Sequence, residues 1–208
     1  MSSSSGYQLA FPPILTDRLI LRVFDPSIPT DYDKLVGIYN APYSLRVLQT
    51  NLGIDSPEGI DRRCAAERPR SKDEATPTPT HPVHLVYLRP SETFIGMIAL
   101  WHRNAFPYPD LAYAFDEGHI NQGYATEAAK AALAWWSNDM QVENIWLGTF
   151  ESNKPSIRVA EKMGLVDGGR IKIILPGDVV KEGLIFVQKH MGKVLDGTTI
   201  DASKKREA

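Results

Sequence analysis

A short apolar run, residues 111–115, ends at Asp116 and Glu117 and leads through a polar turn into a helix of small residues. Residues 116–138 read DEGHINQGYATEAAKAALAWWSN. A strand that feeds a helix through a tight turn leaves backbone N–H groups free at the helix N-terminus, where they favour an anion, most often phosphate. Gly118 and Gly123 adopt positive φ at no steric cost, and Asn121 is among the few other residues that tolerate it. Residues 120–125 can therefore curl their amides inward as a nest. Ala125, Ala128, Ala129 and Ala132 let the helix sit close to a sheet. The same residues also suit an ordinary strand-to-helix connection packed by alanines, so this stretch alone leaves both readings open. A dinucleotide fingerprint is disfavoured, because the G-x-G-x-x-G spacing is absent.

The chain of 208 residues is 43% hydrophobic and 23% charged, which suits one domain with a real core. A net charge of −2 argues against a nucleic-acid partner. Cys64 stands alone, so an internal disulfide is excluded and a reducing, cytoplasmic setting is expected. The first residues, MSSSSGYQ, lack the charged and apolar regions of a secretory leader, and no apolar run approaches membrane-spanning length. No His, Cys and Asp spacing points to a metal site.

Residues 1–13 read as a flexible arm. Residues 15–24 alternate Leu19, Leu21 and Val23 with Arg18, Ile20 and Arg22, as a first strand does. Thr30-Asp31 reads as the cap of a helix over 32–40, and a second short helix is expected over 43–48. Ser56-Pro57-Glu58 starts a third, ending near residue 67. Residues 70–82 form a proline-rich surface loop. Strands are expected over 83–88, 94–101, 111–115 and 144–150, and a helix from Asn153 to a Gly164 cap. A last pair, 165–175 and 184–189, turns at Pro176-Gly177-Asp178, and residues 192–208 read as a polar, disordered tail. The pattern predicts an α/β protein of the α+β kind, a mixed sheet with helices on both faces.

Four blocks occur in order: TDRLILR, FIGMIAL, INQGYATEA and ESNKPSIRVAEKMGL. Together they resemble the GNAT acyltransferase superfamily, and most nearly its RimJ/RimL-type branch, over residues 14–190. The resemblance implies one acetyltransferase domain with a mostly antiparallel central sheet, a V-shaped splay, and acetyl-CoA as co-substrate. It places the pyrophosphate on the loop Ile120, Asn121, Gln122, Gly123, Tyr124 and Ala125. Ile120 and Asn121 depart from the family's polar and glycine positions, at little cost to a loop that works through its backbone. Thr126 either adds a hydroxyl to a phosphate or is an ordinary first-turn residue. Phe115 ends the strand whose backbone pairs with pantetheine. Asn153 contacts the pantetheine arm, caps its helix, or does both.

The tyrosine that many superfamily members place seven residues after that Asn is replaced by Ala160. By the resemblance, Ser156 becomes the hydrogen-bond donor to the departing thiolate. The base is assigned first to Asp116, with His119 and His102 as the nearest histidines. Trp101, Phe106 and Tyr108 either wall the acceptor pocket or pack a hairpin. The expected acceptor is a small-molecule amine or a protein N-terminus, attacked directly in a ternary complex by a monomer or homodimer. A CoA-binding regulatory module with weak turnover, and an unrelated nucleotide-binding α/β protein, are the alternatives.

Overall fold

The computed structural model describes residues 11–48, 54–103, 106–175 and 178–201. In chain order these form β1 (Ile14–Leu15), β2 (Leu19–Val23), α1 (Pro29–Asn40), α2 (Pro42–Leu48), α3 (Pro57–Ala66), β3 (Val83–Leu88), β4 (Phe94–Trp101) and β5 (Asp110–Phe115). They continue with α4 (Tyr124–Asn138), β6 (Trp146–Phe150), α5 (Lys154–Lys162), β7 (Val166–Leu175), β8 (Val179–Val187) and β9 (Thr199–Asp201). Among the described residues the strands make one sheet, ordered β1-β2-β3-β4-β5-β6-β8-β7-β9. All neighbours are antiparallel except β5 with β6 and β7 with β9.

Alternation along β3 and β4 sends side chains to two separate cores. Ile98 and Leu100 meet Ala128, Ala129, Ala132 and Trp136 of α4. Met97, Ala99 and Trp101 meet Leu35 and Ile38 of α1 and Ile60 and Cys64 of α3. Helices therefore cover both faces, as the pattern predicts. The register shifts where Val86 pairs Gly96 and Tyr87 pairs Phe94, so Ile95 is the extra residue of a bulge. Only glycine fits at 96, since a Cβ there would lie 2.5 Å from the Ala114 carbonyl oxygen.

The single strand expected over 15–24 is two. Thr16 breaks it: its hydroxyl accepts from the Leu19 amide at 2.9 Å, and its own amide donates to the Leu19 carbonyl at 3.0 Å. The expected Thr30-Asp31 cap is also corrected. Helix α1 starts at Pro29 after Ile28, which makes no side-chain cap. Asp31 is fully buried and instead takes the Arg22 guanidinium through both oxygens, at 2.6 and 2.8 Å. A buried carboxylate must be paired, and this pair fastens α1 to β2. The Ser56 cap holds, accepting from Gly59 N at 3.2 Å.

The tail expected to be disordered is docked as far as residue 201. Leu195 is buried beside Trp146 and Ile185. Ile200 pairs opposite Ile173, in parallel register with β7. Isolated apolar residues in a polar segment carry no periodic signal, yet the open edge of β7 supplies the partner. Phe11, inside the expected arm, sits edge-on to Trp135 with centroids 5.7 Å apart. Residues 1–10 of that arm and the Pro176-Gly177 turn lie outside the described residues.

His84 lies beneath α4, 1% exposed, with neither ring nitrogen hydrogen-bonded. The edges of Trp135 and Trp136 meet it at 4.8 and 6.3 Å. Burial pushes its pKa down from 6.5 to about 3, so the ring folds neutral. Below pH 6.5 the unfolded chain takes up a proton that the folded chain refuses. Stability should then fall on acidification by about 1.4 kcal/mol per pH unit until the folded pKa is reached. Urea unfolding between pH 7 and 5 is expected to show the slope steepen toward this value, and His84→Leu to flatten it. An equal slope in the variant would assign the acid sensitivity to another group.

Candidate active site

Strands β5 and β6 run parallel but pair only at Asp110 and Trp146. Beyond that point they diverge, and a cavity of about 770 Å³ fills the gap. It is lined from the α4 and α5 side by Gly123, Tyr124, Ala125, Asn153, Ser156 and Val159. From the α1 and α3 side it is lined by Tyr39, Tyr43, Arg63 and Trp101. The cavity therefore reaches both faces of the sheet through the splay, with the β5 backbone as one wall.

The turn between β5 and α4 takes the positive φ that the sequence allows at Asn121 and Gly123 but not at Gly118, which lies in a short 3-10 turn. Asn121 has φ 61° and Gly123 φ 85°. Gly123 caps α4 without any side-chain bond, so the first-turn amides keep no partner within the helix. Phe115, Ile120, Asn121, Gly123, Tyr124, Ala125, Thr126, Asn153 and Ser156 all line the cavity. Gln122 does not: its side-chain amide turns back to donate to the Gly118 carbonyl at 2.9 Å.

What holds this turn is Glu127, in the first turn of α4. It accepts from the Thr16 hydroxyl at 2.7 Å, the Arg18 amide at 3.1 Å and Arg18 Nε at 2.7 Å. Arg18 then donates to the Gln122 carbonyl at 3.0 Å and lies over the Tyr124 ring at 4.6 Å. Burial pushes the Glu127 pKa up, but the bonds from Thr16 and Arg18 outweigh it and leave the group depressed. The blocks TDRL and GYATEA thus form one clamp, with a carboxylate at its centre.

At the far wall, the Tyr113 hydroxyl donates to Ser156 Oγ at 2.8 Å. Ser156 sits in the first turn of α5, where Asn153 Oδ1 accepts its amide at 3.3 Å. Burial pushes the Tyr113 phenol up to about 12 despite the Ser156 bond, which pulls the other way. Tyr113 was missed in the sequence because it reads as one residue of an apolar strand and its partner comes 43 residues later. Ala160, where the tyrosine of other members would stand, is fully buried against Leu147 and Phe186.

The candidate bases separate. His119 lines the cavity, whereas Asp116 is not among the lining residues. Asp116 Oδ2 instead lies 3.0 Å from His119 Nδ1 and accepts from the Gly118 amide at 3.1 Å. His102 faces elsewhere, with Nε2 3.1 Å from the Phe106 carbonyl. Of the three aromatics at the acceptor side, Trp101 lines the cavity. Phe106 stacks on Trp146 at 4.8 Å, and the Tyr108 carbonyl accepts from Trp146 Nε1 at 2.9 Å. Two cations that the motifs did not single out, Arg158 and Lys162, stand one turn apart on α5 at the same cavity. Among the described residues no cluster of His, Cys, Asp or Glu has the makings of a metal site, and no helix is long and apolar enough to cross a membrane.

Residues 18–166 match the model of the acetyltransferase (GNAT) domain. The chain belongs to the GNAT acetyltransferase family. The uncharacterized N-acetyltransferase YnaD of Bacillus subtilis is 26% identical over 163 residues, covering 78% of this chain and 88% of YnaD. The fold is that of a GNAT acetyltransferase from Bacillus anthracis, with TM-score 0.65, 19% identity, and 85% of this chain and 98% of that one covered. It is also that of RimL, a ribosomal alpha-N-protein acetyltransferase solved with coenzyme A. There the TM-score is 0.62 at 14% identity, over 93% of this chain and all of the other. GNAT members use acetyl-CoA as donor, and this chain is an acyl-CoA-dependent N-acyltransferase of that family.

Replacing Glu127 by Gln removes the charge from the clamp and should cost roughly 2 kcal/mol at pH 7, lowering the melting temperature by about 4–8 °C. Because the Glu127 pKa is depressed, its contribution exists above the unfolded value of 4.5 and fades as pH falls through the folded one. The gap between parent and Glu127→Gln should therefore close below pH 4.5, as read by thermal denaturation. A gap that is the same at pH 7 and pH 3.5 would remove the carboxylate from this role.

Proposed function

We propose that the protein transfers the acetyl group of acetyl-CoA to a primary amine by direct attack within a ternary complex. The observation that carries this reading is the cavity that opens to both faces of the sheet through the β5–β6 splay. Donor and acceptor enter from opposite sides and meet between the strands, so neither has to leave before the other binds.

The residues present suit the donor. The unpartnered amides at the start of α4, shaped by Asn121 and Gly123, would hold the diphosphate, with Arg158 and Lys162 adding positive charge. The free backbone edge of β5 beyond Asp110, ending at Phe115, would take the pantetheine arm together with Asn153. Bound there, acetyl-CoA supplies an activated acyl group and a thiolate leaving group.

The chain's own chemistry follows from two hydrogen-bonded pairs. Tyr113 donates into the Ser156 oxygen and fixes its lone pairs. The Ser156 proton is then directed away from Tyr113, toward the leaving sulfur. His119 gives Nδ1–H to Asp116, which leaves the Nε2 lone pair to take a proton from the incoming ammonium. Asp116 orients this ring and does not itself act on the amine. A cysteine-linked acyl intermediate is disfavoured: Cys64 is buried on the inner face of α3, is not among the residues lining the cavity, and burial pushes its thiol up to about 12. The regulatory-module alternative rests on the tyrosine lost at Ala160 and on the lack of an assigned base; against it, Tyr113 brings a phenol to Ser156 from the opposite wall and His119 lines the cavity.

Calorimetry with acetyl-CoA and free-thiol release with an amine panel test this reading together. Ser156→Ala is expected to lower kcat by roughly 10–100-fold, as loss of a hydrogen bond to a charged leaving group does, and Tyr113→Phe by roughly 3–10-fold, as loss of a neutral one does. Full kcat in Ser156→Ala would remove it from the chemistry. Absence of binding heat with acetyl-CoA would remove the reading as a whole.

A further inference from the structure

Three hydrogen-bonding groups in the part of the cavity under α1 and α3 have no partner among the described residues. They are Tyr39 Oη, Arg63 Nη1 and Trp101 Nε1. Their residues are only 9, 5 and 2% exposed, and all three line the cavity. They cluster: the Arg63 guanidinium carbon lies 4.3 Å from the Trp101 ring centroid and 5.9 Å from that of Tyr39. Glu67 holds the other side of Arg63, through Nε at 3.2 Å. A buried donor without a partner costs about 1–3 kcal/mol, and more when charged. All three belong to residues in the wall of one cavity, where unmet donors are poor packing but suit a polar ligand.

The chemistry of the missing partner follows from the donors. Arginine and indole only donate. Burial pushes the Tyr39 hydroxyl up to about 12, against the pull of Arg63, so at neutral pH it keeps its proton and donates too. The group that meets all three is a compact oxygen acceptor, and a planar carboxylate offers two oxygens to them. The charges nearby fit a zwitterion better than a polycation. Asp110 is the one carboxylate among the described lining residues, and Arg103 already holds it at 2.6 and 3.0 Å. A polyamine would find no free acid here, whereas an amino acid brings no net charge. Ile171, Ile173 and Ile200 add apolar surface to the same cavity.

We propose that Arg63, Tyr39 and Trp101 bind the carboxylate of an amino-acid acceptor and leave its amine at the β5–β6 splay. This rests on the acetyl-transfer reading above and names its substrate class.

The test uses the full chain saturated with acetyl-CoA and follows free-thiol release. The acceptors are the common amino acids, their carboxamides, and the matching amines that lack the carboxyl carbon. The acids are expected to exceed the amines by roughly 100-fold or more in kcat/KM, as in sites built to hydrogen-bond a substrate group. Tyr39→Phe should raise the KM of the best acid about tenfold. It should not lower the melting temperature, because the hydroxyl has no partner to lose in the free protein. Equal rates for acids and amines would overturn the proposal, as would an unchanged KM in Tyr39→Phe. Carboxamides as good as the acids would overturn the carboxylate and point to a peptide N-terminus. Calorimetry with acetyl-CoA on the same sample separates the two levels. No heat overturns acetyl transfer itself, while heat without an acid preference overturns only this assignment.

Discussion

Two parallel strands that touch at one end and separate at the other set the terms for the rest of this structure. Asp110 opposite Trp146 is the hinge point of that divergence. A parallel pair left open exposes backbone groups that the sheet cannot satisfy, and exposed backbone is costly unless something else pairs with it. The opening is kept by what surrounds it. Trp146 is locked between Phe106 and the Tyr108 carbonyl. Arg103 holds Asp110 from the other side. The bulge at Ile95 and Gly96 lets β4 follow β5 as it bends away.

Binding and chemistry are then divided among elements. The start of α4 offers backbone and is held rigid by Glu127 and Arg18. Strand β5 and helix α5 share the hydroxyl pair Tyr113 and Ser156. Helices α1 and α3 bring Tyr39 and Arg63 to the opposite face, where β4 adds Trp101. Ser156, Arg63 and Asp110, which all line the cavity, are held by Tyr113, Glu67 and Arg103. Such preorganisation keeps the cost of assembling a reactive geometry out of the binding step.

Much of this was legible in the sequence because it is local. The turn at Asn121 and Gly123, the Ser56 and Asn153 caps, and strands β3 and β4 follow from residues a few positions apart. The family blocks are legible for a related reason: they encode a backbone shape. Side-chain pairs that bridge distant segments were not legible. Glu127 meets Arg18 across 109 positions, and Tyr113 meets Ser156 across 43. Tyr39, Arg63 and Trp101 each look like core residues within their own elements, and only the tertiary fold leaves their polar atoms unmet together. Ile200 was hidden by the opposite problem, a single apolar residue in a polar tail that finds its place on the edge of β7.

In the proposed function, backbone at the edge of β5 and the start of α4 holds acetyl-CoA. Hydrogen–deuterium exchange measured with and without acetyl-CoA addresses it residue by residue. Slowed exchange is expected at the amides of residues 112–115 and 121–126, with little change in β7 to β9. Protection confined to other elements, or none in those two segments at saturating acetyl-CoA, would rule out backbone as the acetyl-CoA site.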